Sequence, residues 1–198
     1  MKYLLGILFI ALIIQSCSQA NSLDKTKQIT SIEEALMGFA LKEDASNEEF
    51  IKSHLLLSNL ILTDDQISKL EEKLSLRKDD GTKYLLTNYL LWMQTQENTY
   101  KNEFIKTYPT SEDLQALNKS IISSDYRIAT SPFQKILAFF AMDDNDALAK
   151  LLQSIEYSDG ANADELGSQL REIYKIDESR IVELSKDLGI NIDEIITL

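Results

Sequence analysis

Cysteine occurs once in this chain, histidine once, proline twice and glycine six times. The single cysteine, Cys17, lies ahead of the body of the sequence, so no disulfide can staple that body and its stability has to come from a buried apolar core. Pro109, Pro132 and the glycines after residue 16 fall mostly between apolar runs, which leaves long stretches free of helix breakers. With one His and one Cys the usual zinc sets and Cys/His dyads cannot be assembled, and neither H-E-x-x-H nor G-x-S-x-G is found. No cofactor and no metal site is expected. Long apolar runs are also missing: after residue 16 nothing approaches the roughly 20 residues a helix needs to cross a bilayer.

The N-terminus is where apolar residues do gather. Lys2 is followed by an uncharged tract, Tyr3 to Ile14, and the small residue Ser16 precedes Cys17, the layout of a secretory signal. Ile14-Gln15-Ser16-Cys17 resembles the lipobox of bacterial lipoproteins, with an aliphatic residue three places before the cysteine and a small one just before it. The resemblance implies cleavage ahead of Cys17, a diacylglyceryl group on its thiol and usually an acylated new amino terminus. Ser18 in place of Asp implies outer-membrane sorting in proteobacterial lineages. Two or more acyl chains hold a protein stably, whereas one gives marginal binding. The expected organisation is a lipoprotein signal peptide over residues 1–16, the acylated Cys17 with a flexible tether over 17–30, and a single helical domain over 31–198.

Charge of one sign is scarce. The chain has 20 basic and 32 acidic side chains; removing residues 1–16 takes away Lys2 and no acid, leaving a net charge of −13. Residues 143–198 hold 14 acids against 5 bases, a net of −9. Glu183 to Ile195 (ELSKDLGINIDEI) resembles the helix-turn-helix of bacterial DNA-binding proteins, but nucleic-acid binding needs a basic footprint, so no nucleic-acid partner is expected.

Downstream of the tether the pattern is helical. Ser, Thr or Asn followed three residues later by Glu or Gln, the capping-box signature, occurs at Ser31/Glu34, Ser46/Glu49, Thr63/Gln66, Asn162/Glu165 and Asn191/Glu194. Apolar periodicity predicts helices near 32–42, 47–61, 64–76, 82–95, 97–108, 111–123, 132–142, 144–156, 163–175, 178–188 and 192–197, the fourth and fifth being either two helices or one. Tyr84 to Met93 and Phe133 to Met142 are apolar around much of the helix and should be central. Helix starts recur some thirty residues apart, Ser31 to Thr63 and Asn162 to Asn191 among them. The fold class is all-α: stacked helix hairpins, as an α-solenoid or as an irregular helical bundle.

Few constellations could carry chemistry. His54 reads as a packing histidine. Asp143, Asp144 and Asp146 fail as a calcium loop, because DDNDALAKLLQS lacks the central Gly and ends in Ser154 where a bidentate Glu is needed; acids there suit a helix N-terminus. Tyr100, Phe104 and Tyr108 form an aromatic stripe with Tyr89 and Trp92 upstream. Such a stripe is more often core, and its exposed part would be the place for a partner groove. The expected function is a membrane-anchored envelope lipoprotein, facing the periplasm or cell surface from the outer membrane, acting as a non-enzymatic protein-binding or scaffold module. Its partners would be the lipid bilayer through Cys17 and another protein, a basic one if the acidic C-terminal face takes part. Two alternatives stay open: an immunity lipoprotein that neutralises an envelope-acting toxin, and a cell-wall enzyme or its subunit.

Overall fold

The computed structural model describes residues 22–192 apart from 79, 122–130 and 159. Cys17, the apolar tract before it and nearly all of the helix expected over 192–197, with the Glu194 half of its capping box, lie outside the described residues. Those described form ten α-helices and one 3-10 turn, with no strand among them. In chain order the helices are α1 (Ser22–Leu41), α2 (Asn47–Leu57), α3 (Asp64–Leu76), α4 (Gly81–Thr95), α5 (Asn98–Thr107), α6 (Glu112–Ile121), α7 (Pro132–Ala141), α8 (Asn145–Gln153), α9 (Gly160–Ile176) and α10 (Glu178–Leu188); the 3-10 turn, Ser154–Tyr157, continues α8.

Two of the expected capping boxes form. Ser46 and Glu49 open α2 and Thr63 and Gln66 open α3, each pair exchanging side-chain and backbone hydrogen bonds. Two others do not. The first helix starts at Ser22, so it occupies part of the stretch expected as tether, and Ser31 and Glu34 sit within it. Asn162 lies inside α9 rather than ahead of it. The region expected as either one helix or two is two: Gln96 takes a left-handed conformation (φ 60°) and its side-chain amide returns to the Trp92 carbonyl at 3.1 Å, ending α4 before α5 begins.

Helix α4 is the hub of the packing and touches α2, α3, α5, α6 and α7. The architecture is an all-α helical bundle. Its larger apolar cluster includes Leu85, Leu86 and Trp92 of α4, Phe104 and Tyr108 at α5, Phe133, Leu137 and Phe140 of α7, and inward residues of α8, α9 and α10. A smaller cluster gathers Met37, Ala40, Leu57, Leu62, Leu70, Leu90 and Leu91. Helix α4 feeds both, which explains why YLLTNYLLWM has no polar face of its own.

Helix ends are closed by cations from distant sequence. Arg180 sends its fork to the end of α7, donating to Met142 O at 2.9 Å, Asp144 O at 3.1 Å and Asn145 Oδ1 at 2.7 Å, as well as to Ala141 O. Lys150 Nζ donates to Lys106 O at 3.0 Å and Tyr108 O at 2.7 Å, at the end of α5. Both place positive charge at the negative pole of a helix.

Candidate functional site

The aromatic stripe is mostly core. Phe104 and Tyr108 are 0% and 1% exposed and Trp92 8%, so these three of the expected contact residues are out of a partner's reach. The Trp92 and Phe104 rings pack edge to face on Phe140, with centroids 4.8 Å and 5.5 Å away, the favoured geometry for aromatic quadrupoles, and the Tyr108 ring is tilted against Phe104 at 6.2 Å. Tyr89 and Tyr100 remain half-buried. Tyr100 Oη donates to Glu71 Oε1 at 2.6 Å, which ties α5 to α3.

The acids before α8 serve mainly as local structure. Asp144 is the N-cap and accepts from the backbone N–H groups of Asp146 (3.0 Å) and Ala147 (3.1 Å). Burial pushes its carboxyl up, but Lys101 Nζ at 2.9 Å and those N–H groups outweigh it and hold the pKa below the usual value. Asp143 also meets Lys101, at 3.5 Å, and Asp146 is exposed. Charge reversal across all three would therefore remove a helix cap as well as a surface charge.

The polar centre of the molecule lies elsewhere. His54 is fully buried on α2, its ring stacked on Phe50 at 3.8 Å between centroids. Nδ1 lies 2.9 Å from the Phe50 carbonyl, which can only accept, so the proton sits on Nδ1 and Nε2 is the bare acceptor. Nε2 faces Thr87 Oγ1 at 3.3 Å, and Thr87 also has Lys83 O at 2.7 Å within reach of its one proton. Arg77 Nη1 donates to the same hydroxyl at 3.1 Å and Arg77 Nη2 to Ala40 O at 2.7 Å. Burial drives the His54 pKa down to about 3; the backbone bond to Phe50 opposes this and the nearby Arg77 charge adds to it. His54 is neutral at ordinary pH.

No family model, curated protein or solved structure matches this chain. Its chemistry therefore rests on its own residues. Arg77 follows the end of α3, is 6% exposed, and has its guanidinium carbon 4.7 Å from the Phe50 ring centroid. Burial also holds its pKa below the ordinary guanidinium value. It borders a cleft of about 370 Å³ lined by Glu43, Lys73, Leu76, Arg77, Asp80 and Lys83, where the end of α3 meets the start of α4. Lys73 pairs with Glu43 at 2.8 Å, and Lys83 with Asp80 at 3.4 Å and with Glu43 O at 2.8 Å. The arrangement can hold a small polar group against a buried cation.

Sequence reasoning notes the acid pair Asp79/Asp80 but assigns no site to any residue of this cleft. Its members are spread from Glu43 to Lys83 and no short motif links them; the available signal is Arg77, an arginine just past a periodic helix with no acid three or four residues before it. Among the described residues, no three His, Cys, Asp or Glu side chains gather as a metal site would require.

Proposed function

We propose that the protein is an exported envelope lipoprotein, anchored in the outer membrane through acylated Cys17, whose helical body serves as a non-enzymatic binding or scaffold module for another protein. The observation that carries the proposal is the coincidence of the only cysteine with the end of an uncharged tract preceded by Lys2, in the setting Ile14-Gln15-Ser16-Cys17. A thiol placed there is a point of lipid attachment, and acyl chains together with a folded body form a tethered module. The body supports this reading in two ways. It can stand on its own core, since its apolar clusters need no disulfide. Its surface retains exposed apolar side chains on several helices, including Phe39, Leu56, Leu76 and Val182, of the kind that contact partners.

Labelled palmitate and fractionation of the native envelope test the anchor. The wild-type chain should carry label and sediment with membranes. Cys17→Ser should carry none and should move to the soluble envelope fraction or persist as an uncleaved precursor. A lipidated Cys17→Ser protein would overturn the reading. Affinity capture of the acylated chain then tests the binding role: a stoichiometric protein partner is expected, and a secreted toxin among the captured proteins would select the immunity function.

A further inference from the structure

Helix α1 outruns the helices it packs against. It has 20 residues, Ser22–Leu41, a length of about 30 Å at the helical rise. Its buried contacts come from the last turns, where Met37 and Ala40 enter the smaller apolar cluster and Leu36 and Leu41 pack on it. Helix α2 returns after the short connection 42–46, so the two are antiparallel. Its 11 residues reach back only about 16 Å, to the level of residue 31. Helix α3 runs parallel to α1. Gln66 in its first turn donates to Glu33 Oε1 at 2.8 Å, and at its other end Arg77 Nη2 donates to Ala40 O at 2.7 Å and Lys73 pairs with Glu43 at 2.8 Å. Both neighbours therefore stop near residues 31–33, and Thr30, Ser31 and Ile32 are exposed. Residues 22–29 continue the helix for about 12 Å past that end of the bundle.

We propose that residues 22–29 are a helical spacer that lifts the body off the bilayer and turns one end of the bundle, the end with residues 58–63, toward it. The spacer rests on the lipid anchor at Cys17. Only four residues, 18–21, separate that cysteine from Ser22, a reach of about 14 Å at full extension, so the start of α1 stays near the headgroups. The end of α2, residues 58–63 and the start of α3 all lie at the level where α1 leaves the bundle, whereas the connection 42–46 and the end of α3 lie at the opposite end. Composition suits the role: SLDKTKQI holds two apolar residues, too few for a buried face. A rise of about 12 Å also exceeds the screening length of about 8 Å at physiological salt, which spares an acidic body repulsion from anionic lipid.

The test uses the full-length acylated chain, purified from its own envelope and placed in vesicles of phosphatidylethanolamine and phosphatidylglycerol that carry a gadolinium-chelating headgroup lipid. Acylation of Cys17, the only cysteine, leaves no free thiol, so one introduced cysteine takes a ¹⁹F probe at one exposed position. Asn59→Cys places the probe at the near end and Asp44→Cys at the far end, both on exposed residues. Paramagnetic relaxation should be several-fold stronger at position 59 than at position 44, the two ends being about 16 Å apart along α2. Deleting residues 23–29, two helical turns, should bring both probes about 10 Å closer and strengthen relaxation at each. Replacing residues 22–29 by a Gly-Ser segment of equal length leaves the anchor and the core in place, and most of the difference between the two probes should be lost. Equal relaxation at the two positions, a stronger effect at the far one, no change on deletion, or a Gly-Ser chain that keeps the full difference would each overturn the spacer while the anchor stands. Failure of the anchor reads differently: a wild-type Cys17 that itself takes the ¹⁹F probe overturns the anchor and the spacer together.

Discussion

His54 shows how one buried side chain shapes the stability of the fold between pH 6.5 and 5. Its ring is held neutral by burial, with Nδ1–H committed to the Phe50 carbonyl and Arg77 bonded to the same threonine that faces Nε2. In the unfolded chain the ring titrates near 6.5, and in the fold only near 3. Below pH 6.5 the unfolded state therefore binds a proton that the native state refuses, and stability falls by about 1.4 kcal/mol per pH unit until the folded pKa is reached. Above pH 6.5 the contribution is fully present and flat. Because this is the only histidine, the window from pH 6.5 to 5, above most carboxylate titrations, isolates its effect. Urea unfolding of the wild-type protein across that window should show the decline, and His54→Phe should remove most of the slope whatever it does to absolute stability. A wild-type curve as flat as that of His54→Phe would mean the ring is protonated or solvated in the fold. At this scale the sequence is only partly legible: a single histidine one turn after Phe50 reads correctly as packing, but nothing local announces that Thr87 and Arg77 will meet it.

Among the elements, legibility depends on whether the deciding interaction is local. Helices α3 and α10 fall over the residues their periodicity predicts, and α2 and α3 open on the capping boxes that their sequences spell out. Ser31/Glu34 has the same spelling but is no start, because the helix is already running from Ser22, and a four-residue signature carries no information about what precedes it. Asn162 fails for a different reason. Its Oδ1 accepts from Ser131 N at 2.9 Å and its carbonyl accepts from Gln134 Nε2 at 3.1 Å, so the residue joins α9 to the start of α7 instead of capping its own helix. The two roles give opposite responses to one substitution. Serine caps as well as asparagine does, so Asn162→Ser would be neutral at a cap. Here it is too short to reach, and the buried Ser131 N–H loses its acceptor at a cost of about 1–3 kcal/mol. Ser46→Ala, at a true cap, should cost about 1 kcal/mol. Chemical denaturation of the two variants measures both, and a neutral Asn162→Ser would return that residue to a capping role.

For the molecule as a whole the question is whether its two apolar clusters fold as one unit. The smaller, around Leu57, Leu70, Leu90 and Leu91, belongs to the N-terminal helices, and the larger extends to α10. Helix α4 lies between them and gives consecutive pairs to each, Leu85 and Leu86 to the larger and Leu90 and Leu91 to the smaller. Neither cluster can lose its packing without unseating α4, and an α4 unseated from one cannot remain docked in the other. The sequence displays half of this argument, since an apolar run without a polar face has to be central, but the partition between two clusters depends on crossing angles that no periodicity records. Leu70→Ala supplies the test, because Leu70 is 0% exposed and lies in the smaller cluster, while Trp92, the only tryptophan, reports from the larger. Truncating the buried Leu70 side chain to a methyl group should cost about 2–5 kcal/mol. With α4 as the shared element, the loss should lower the urea midpoint by the same amount for helix circular dichroism and for Trp92 fluorescence, in a single transition that reducing agent leaves unchanged. An early loss of ellipticity while Trp92 keeps its wild-type midpoint would show that the smaller cluster melts alone and that α4 does not couple the two.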